Sequence, residues 1–269
     1  MSHLNADPVH SSLLGESTAP TRVAFVHGLF GRGKNFTRIA TGLQPDAQSL
    51  LIDLPNHGSS AWTEELSFEQ LADLVAAHLR AGFASTGPVD IVGHSMGGKV
   101  AMVLALRHPR LVRRLVIVDI SPVVAGEVRG EFPHLLSALL GLDLASLSSR
   151  TDAHEALREQ IPSDTVRGFL LQNLKRVDGG FAWEPNLRLL FDELGTISGF
   201  PEVLADPFEG PVLWVRGERS DYIDPAELPL MREFFPNAEL VTISGAGHWV
   251  HSEKPAEFTG ALREFLLED

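Results

Sequence analysis

Short apolar runs alternate with longer segments of helical period through most of the 269-residue chain. Val23-Ala24-Phe25-Val26 is apolar at every position and stops at the turn pair His27-Gly28, the pattern of a strand buried on both faces. Comparable runs recur at 49–53, 89–92, 115–118, 211–215 and 239–243. Helical stripes lie between them, at 35–43, 68–81, 96–108 and 255–267. In the second of these Phe68, Leu71, Leu74, Val75 and Leu79 share one face and Ser67 is placed to cap the first turn. Both-face-apolar strands separated by helices predict a mostly parallel sheet covered by helices on both sides. The rhythm breaks between 121 and about 206, where helical patterns at 133–140, 153–159 and 166–176 are joined by no strand run. The expected organisation is an α/β core in two parts, 1–121 and 206–269, interrupted by a helical insert or cap over 122–205; residues 1–20 contribute at most an edge strand.

Composition narrows the class. Hydrophobic residues make up 44% and charged residues 21%, the balance of a globular chain with a sizeable core. Lys and Arg number 22 against 35 Asp and Glu, a net charge of −13, which argues against non-specific binding to nucleic acid or to an anionic membrane. Cysteine is absent, which excludes disulfides and thiolate nucleophiles and points to a reducing cytoplasm. The first twenty residues carry neither the basic start nor the apolar run of a signal peptide, and no apolar stretch approaches the roughly 20 residues of a membrane span. His, Asp and Glu show no metal-ligand spacing, so a metal is not expected.

The sharpest chemical signal is Gly93-His94-Ser95-Met96-Gly97, a G-x-S-x-G between a strand run and a helix. In that setting the serine sits on a tight turn with its hydroxyl above the sheet, at the positive end of the following helix. A serine hydroxyl needs a base to become a useful nucleophile. Gly245-Ala246-Gly247-His248-Trp249 follows the last strand run, which makes His248 the candidate base, with His251 as fallback among eleven histidines. The acid has two candidates. The turn after 211–215 carries Ser220 where a Gly-x-x-Asp spacing from Gly217 calls for a carboxylate, with Asp221 one residue later. Asp119, at the end of the preceding strand run, is the first choice, Asp221 the alternative, and Ser220 a support for the His–acid pair. Oxyanion donors are the backbone N–H of Met96 and that of Leu29 in His27-Gly28-Leu29-Phe30-Gly31, with Phe30 the alternative. Gly31-Arg32-Gly33-Lys34 lacks the full phosphate-loop pattern. Phe30, Phe132, Leu136, Leu139, Phe169 and Trp183, with Met96, are candidates for an apolar acyl pocket, with His57 near its mouth.

From about 22 to 267 these residues resemble the α/β-hydrolase superfamily. Asn35-Phe36, Asp53-Leu54-Pro55-Asn56-His57-Gly58, Gly97-Gly98-Lys99 and Val118-Asp119-Ile120-Ser121-Pro122 make the chain similar to the YbfF-type esterases and their mitochondrial abhydrolase relatives. Phe169-Leu170-Leu171-Gln172-Asn173-Leu174 and Trp183-Glu184-Pro185-Asn186-Leu187 extend that likeness into the insert. The resemblance implies an α/β-hydrolase fold with a helical cap after the sixth strand, ester or thioester hydrolysis without a cofactor, an acid at the Asp119 position and serine at the Ser220 position. The expected activity is hydrolysis of a small-molecule acyl ester through an acyl-enzyme on Ser95. Thioesterase, acyltransferase and C–C bond hydrolase chemistry use the same groups, and a ligand-binding protein could keep the fold alone. Serine rather than aspartate at 95 argues against carboxylate-nucleophile dehalogenases and epoxide hydrolases.

Overall fold

The computed structural model describes residues 8–122, 131–202 and 205–268. The chain begins with the strands β1 (His10–Leu14) and β2 (Thr21–Val26), then α1 (Thr37–Gly42), β3 (Ala47–Asp53), α2 (Phe68–Ala81), β4 (Val89–His94), α3 (Met96–Arg107) and β5 (Val112–Val118). There follow α4 (Phe132–Leu140), α5 (Arg150–Ala156), α6 (Asp164–Leu171), β6 (Leu174–Val177), β7 (Gly180–Trp183), α7 (Leu187–Asp192) and α8 (Leu194–Ser198). The chain ends with β8 (Val212–Gly217), α9 (Leu228–Phe234), β9 (Ala238–Ile243), α10 (Val250–Glu253) and α11 (Pro255–Leu267).

Seven strands form one sheet in the order β1-β3-β2-β4-β5-β8-β9, parallel except for β1, which runs antiparallel to β3 at the edge. The apolar runs in β2, β5 and β8 follow from burial on both faces. Ala24, Val26, Leu115 and Ile117 point to the side where Phe68, Leu71 and Val75 of α2 and most of α3 pack. Val23, Phe25, Val116 and Val118 point to the other, against Ile39 of α1 and Phe258, Leu262 and Leu266 of α11. Successive side chains on a strand face opposite ways, so both sets must be apolar when helices cover both faces. Ser67 caps α2 as expected, its side chain accepting from the Gln70 N–H at 3.1 Å. The helix expected over 35–43 is split, with a 3₁₀ turn at Gly33–Phe36 leading into α1.

The insert departs from the sequence reading. The helix expected through 176 ends at Leu171, and residues 174–183 form an antiparallel hairpin of β6 and β7. Asp178-Gly179-Gly180 turns the hairpin, with φ of 86° at Gly179 and 158° at Gly180, values that glycine adopts without a Cβ clash. Among the described residues, the segment between β5 and β8 is therefore helices plus one hairpin. Its expected start just after 122 runs into residues outside those described.

Candidate active site

The order β4-β5-β8-β9 brings the C-terminal ends of four neighbouring parallel strands to one edge of the sheet, where α/β folds gather their chemistry. Ser95 stands between β4 and α3 at φ 53° and ψ −122°, a region that non-glycine residues occupy at a cost of roughly 1–3 kcal/mol. Its flanking glycines are steric necessities. A Cβ on Gly97 would lie 2.3 Å from the His27 carbonyl oxygen, and one on Gly93 would lie 2.4 Å from that of Gly97. The serine is thus held at the start of α3, whose first residue is Met96.

His248, in the loop between β9 and α10, has Nε2 3.0 Å from Ser95 Oγ and Nδ1 2.8 Å from Asp119 Oδ2. Asp119 is fully buried directly after β5. Its carboxylate is held from two further sides, Oδ1 accepting the Gly217 N–H at 2.9 Å and Oδ2 accepting the Ser220 hydroxyl. Asp221 is exposed and makes no hydrogen bond to His248. The two adjacent residues diverge because Ser220 turns inward at the end of β8 while Asp221 faces solvent. His251 bonds neither Ser95 nor Asp119; its buried ring packs against Phe36 and His94. Burial and the neighbouring His248 hold the His251 pKa down at about 4. Burial pushes His94 well below the ordinary histidine value, with His251 and His248 adding to the effect, and its Nε2 lies 2.9 Å from the His248 carbonyl oxygen.

A cavity of about 60 Å³ opens on Ser95, with Leu29, Met96, Lys99, Phe132 and Tyr222 among its walls. Among the described residues, neither the Met96 nor the Leu29 N–H has a hydrogen-bond acceptor. Phe30, the alternative donor and a candidate pocket residue, is turned into the core at φ 62°, its ring 6.2 Å from that of Phe132. Of the other proposed pocket residues, Met96 and Phe132 border the cavity. Leu136 and Leu139 pack in the hydrophobic core. His57 is buried beside His27 with Nδ1 3.2 Å from the Pro55 carbonyl oxygen. Trp183 lies in the hairpin, and Phe169 faces Trp249 across a separate groove. These assignments fail because apolar periodicity reports burial and not which cavity a side chain borders.

Two wall residues escaped the sequence reading. Tyr222, the chain's only tyrosine, stacks on the His248 ring at 4.1 Å between centroids. Burial, Asp119 and Glu131 push its pKa up to about 12. Lys99 is buried, and its Nζ donates to the carbonyls of Ile197, Ser198 and Gly199 at 2.9, 2.9 and 2.7 Å. Its place in Gly97-Gly98-Lys99 was a visible signal. Among the described residues no group of three His, Asp or Glu side chains is placed to hold a metal ion.

Residues 21–255 match the family described as the alpha/beta hydrolase fold, and the chain belongs to that family. It sits among the family's esterases and lipases. It is 38% identical over 276 residues to the sn-1-specific diacylglycerol lipase ABHD11 of Mus musculus, covering 97% of this chain and 87% of that protein. Esterase YbfF of Escherichia coli is 30% identical over 91% of this chain and 92% of its own length. The solved structure of a marine microorganism esterase superposes with a TM-score of 0.91 at 34% identity, covering 96% of this chain and 99% of that one.

Proposed function

We propose that this protein hydrolyses carboxylic esters through an acyl-enzyme on Ser95. The reading is carried by one observation, the unbroken hydrogen-bonded chain from Ser95 Oγ through His248 to buried Asp119. Asp119 holds the His248 proton on Nδ1, leaving the Nε2 lone pair facing the serine hydroxyl. His248 then takes the hydroxyl proton as Oγ attacks the acyl carbon, and the N–H groups of Met96 and Leu29 receive the developing oxyanion. The imidazolium returns the proton to the leaving alcohol. Water, deprotonated by the same Nε2, attacks the acyl-enzyme, and the acid departs. In this reading 122–205 acts as a cap over a core made of 1–121 and 206–269, Tyr222 keeps the His248 ring in plane, and the cysteine-free chain works in a reducing cytoplasm.

The test is a panel of p-nitrophenyl esters from acetate to palmitate, with acyl-CoA hydrolysis run alongside. The panel reads which acyl lengths the cavity at Ser95 accepts, and turnover of at least one ester in it is expected. A fluorophosphonate probe is expected to label Ser95, and Ser95→Ala to lose turnover on the order of 10⁶-fold. Full esterase activity in folded Ser95→Ala would end this reading, and hydrolysis confined to acyl-CoA would replace it with a thioesterase.

A further inference from the structure

The two insert motifs, Phe169-Leu170-Leu171-Gln172-Asn173-Leu174 and Trp183-Glu184-Pro185-Asn186-Leu187, have no part in the chemistry just described, yet both reach the loop after β2. Arg32 donates through Nη1 to Glu184 Oε2 and through Nη2 to the Gln172 carbonyl, each at 3.0 Å. Asn35 Nδ2 donates to Gln172 Oε1 at 3.1 Å. Asn173 is 1% exposed, and its Nδ2 donates to the Phe30 carbonyl at 2.7 Å. Asn173 is itself fixed by its backbone, its N–H bonded to the Leu170 carbonyl and its own carbonyl accepting the Glu184 N–H.

The bond from Asn173 matters because of what the next two peptide planes do. In a trans peptide the C=O and the following N–H point in opposite directions. Holding the Phe30 carbonyl toward Asn173 therefore aims the Gly31 N–H the other way, where it donates to the Gly28 carbonyl at 2.9 Å. The same Gly28 carbonyl also accepts from His27 Nδ1 at 2.8 Å. With that carbonyl held on one side, the Leu29 N–H is directed to the other, and Leu29 borders the cavity at Ser95. Phe30 meanwhile sits at φ 62°, a conformation that persists only where its surroundings impose it.

We infer that Asn173 is a positioning residue for the oxyanion site: from the insert, it fixes the Phe30 carbonyl and, through two peptide planes, the direction of the Leu29 N–H. This inference rests on the esterase reading for its kinetic consequence but not for its structural one. Asn173→Leu keeps the number and branching of the side-chain heavy atoms and removes the donor. With p-nitrophenyl butyrate the variant is expected to lose 10- to 100-fold in kcat with KM within threefold, less than the 10²–10³ for deleting an oxyanion donor outright. Affinity for a trifluoromethyl ketone, whose hemiketal oxygen needs the same N–H, is expected to weaken in proportion to kcat/KM. Hydrogen exchange followed by mass spectrometry is expected to show faster exchange confined to 28–36, a readout independent of catalysis. Should Asn173→Leu not fold, Asn173→Ser supplies the same measurements. Unchanged exchange over 28–36 overturns the inference, as does a kcat within threefold of the parent. Faster exchange over 28–36 in Asn173→Leu, beside a wild-type protein that neither labels nor turns over esters, would leave the clamp standing and remove the esterase reading instead.

Discussion

Replacing Asp119 by Asn changes one atom's chemistry in a site whose geometry dictates which way the amide must face. The carboxylate accepts from the Gly217 N–H at Oδ1 and from His248 Nδ1 and the Ser220 hydroxyl at Oδ2. An asparagine has one acceptor oxygen, and the Gly217 N–H, a fixed backbone donor, claims it. The NH₂ group then stands where Oδ2 was, facing His248, while the Ser220 hydroxyl rotates to accept. His248 Nδ1 must become an acceptor, its proton moves to Nε2, and the lone pair that should receive the Ser95 proton is gone. A wrong tautomer of this kind costs about 10⁴ in kcat, or about 5 kcal/mol of transition-state stabilisation. The assay is steady-state hydrolysis of p-nitrophenyl butyrate at pH 7.5 beside a thermal melt, with Asp221→Asn as control. Asp119→Asn is expected to melt within a few degrees of the parent and to lose about four decades of turnover, while Asp221→Asn stays within twofold. Activity within tenfold of the parent in Asp119→Asn, or equal losses in both variants, would refute the reasoning.

Acid is expected to destabilise the fold through its buried histidines. Burial holds His57 near a pKa of about 3 and His251 near about 4 against an ordinary 6.5. The unfolded chain therefore binds more protons between pH 6.5 and about 4, and stability falls as pH drops through that window. At pH 5 each histidine contributes about 2 kcal/mol of that loss, so melts at pH 7 and pH 5 should differ by several degrees and His57→Gln should narrow the difference. Lys99→Met strips three donors from the carbonyls that end α8, and urea denaturation should show a loss of about 2–3 kcal/mol; an unchanged midpoint would mean those bonds contribute nothing net. Gly97→Ala forces a Cβ to within 2.3 Å of the His27 carbonyl oxygen; the expected cost is at least about 3 kcal/mol, read as loss of soluble, active protein, and a normally stable variant would contradict the packing described.

Much of the core was legible from pattern alone. The runs at 23–26 and 115–118 lie within β2 and β5, because a strand covered on both faces has no choice but continuous apolarity, and those at 89–92 and 239–243 lie within β4 and the edge strand β9. The 68–81 and 255–267 stripes coincide with α2 and α11, whose starts are set by Ser67 and by Pro255. The hairpin at 174–183 was not legible, since Leu174-Lys175-Arg176-Val177 continues the helical-looking stretch before it and only the Asp178-Gly179-Gly180 turn betrays the change.

The local motif made Ser95 the candidate, since a G-x-S-x-G between a strand run and a helix is written in five consecutive residues, whereas the clash that forbids a side chain at Gly97 comes from the Val26 and His27 carbonyls at the end of β2 and was supplied by the tertiary structure. The sequence also left Asp119 and Asp221 as rivals, because both lie just beyond strands on one side of the nucleophile and spacing carries no direction. Tertiary structure separated them: β5 and β8 lie side by side, so the Gly217 N–H and Ser220 hydroxyl at the end of one strand hold the carboxylate at the end of the other. The walls of the cavity, Tyr222 on His248 and Lys99 under the insert, were likewise decided only there, because those contacts depend on which elements meet in space and not on any pattern along the chain.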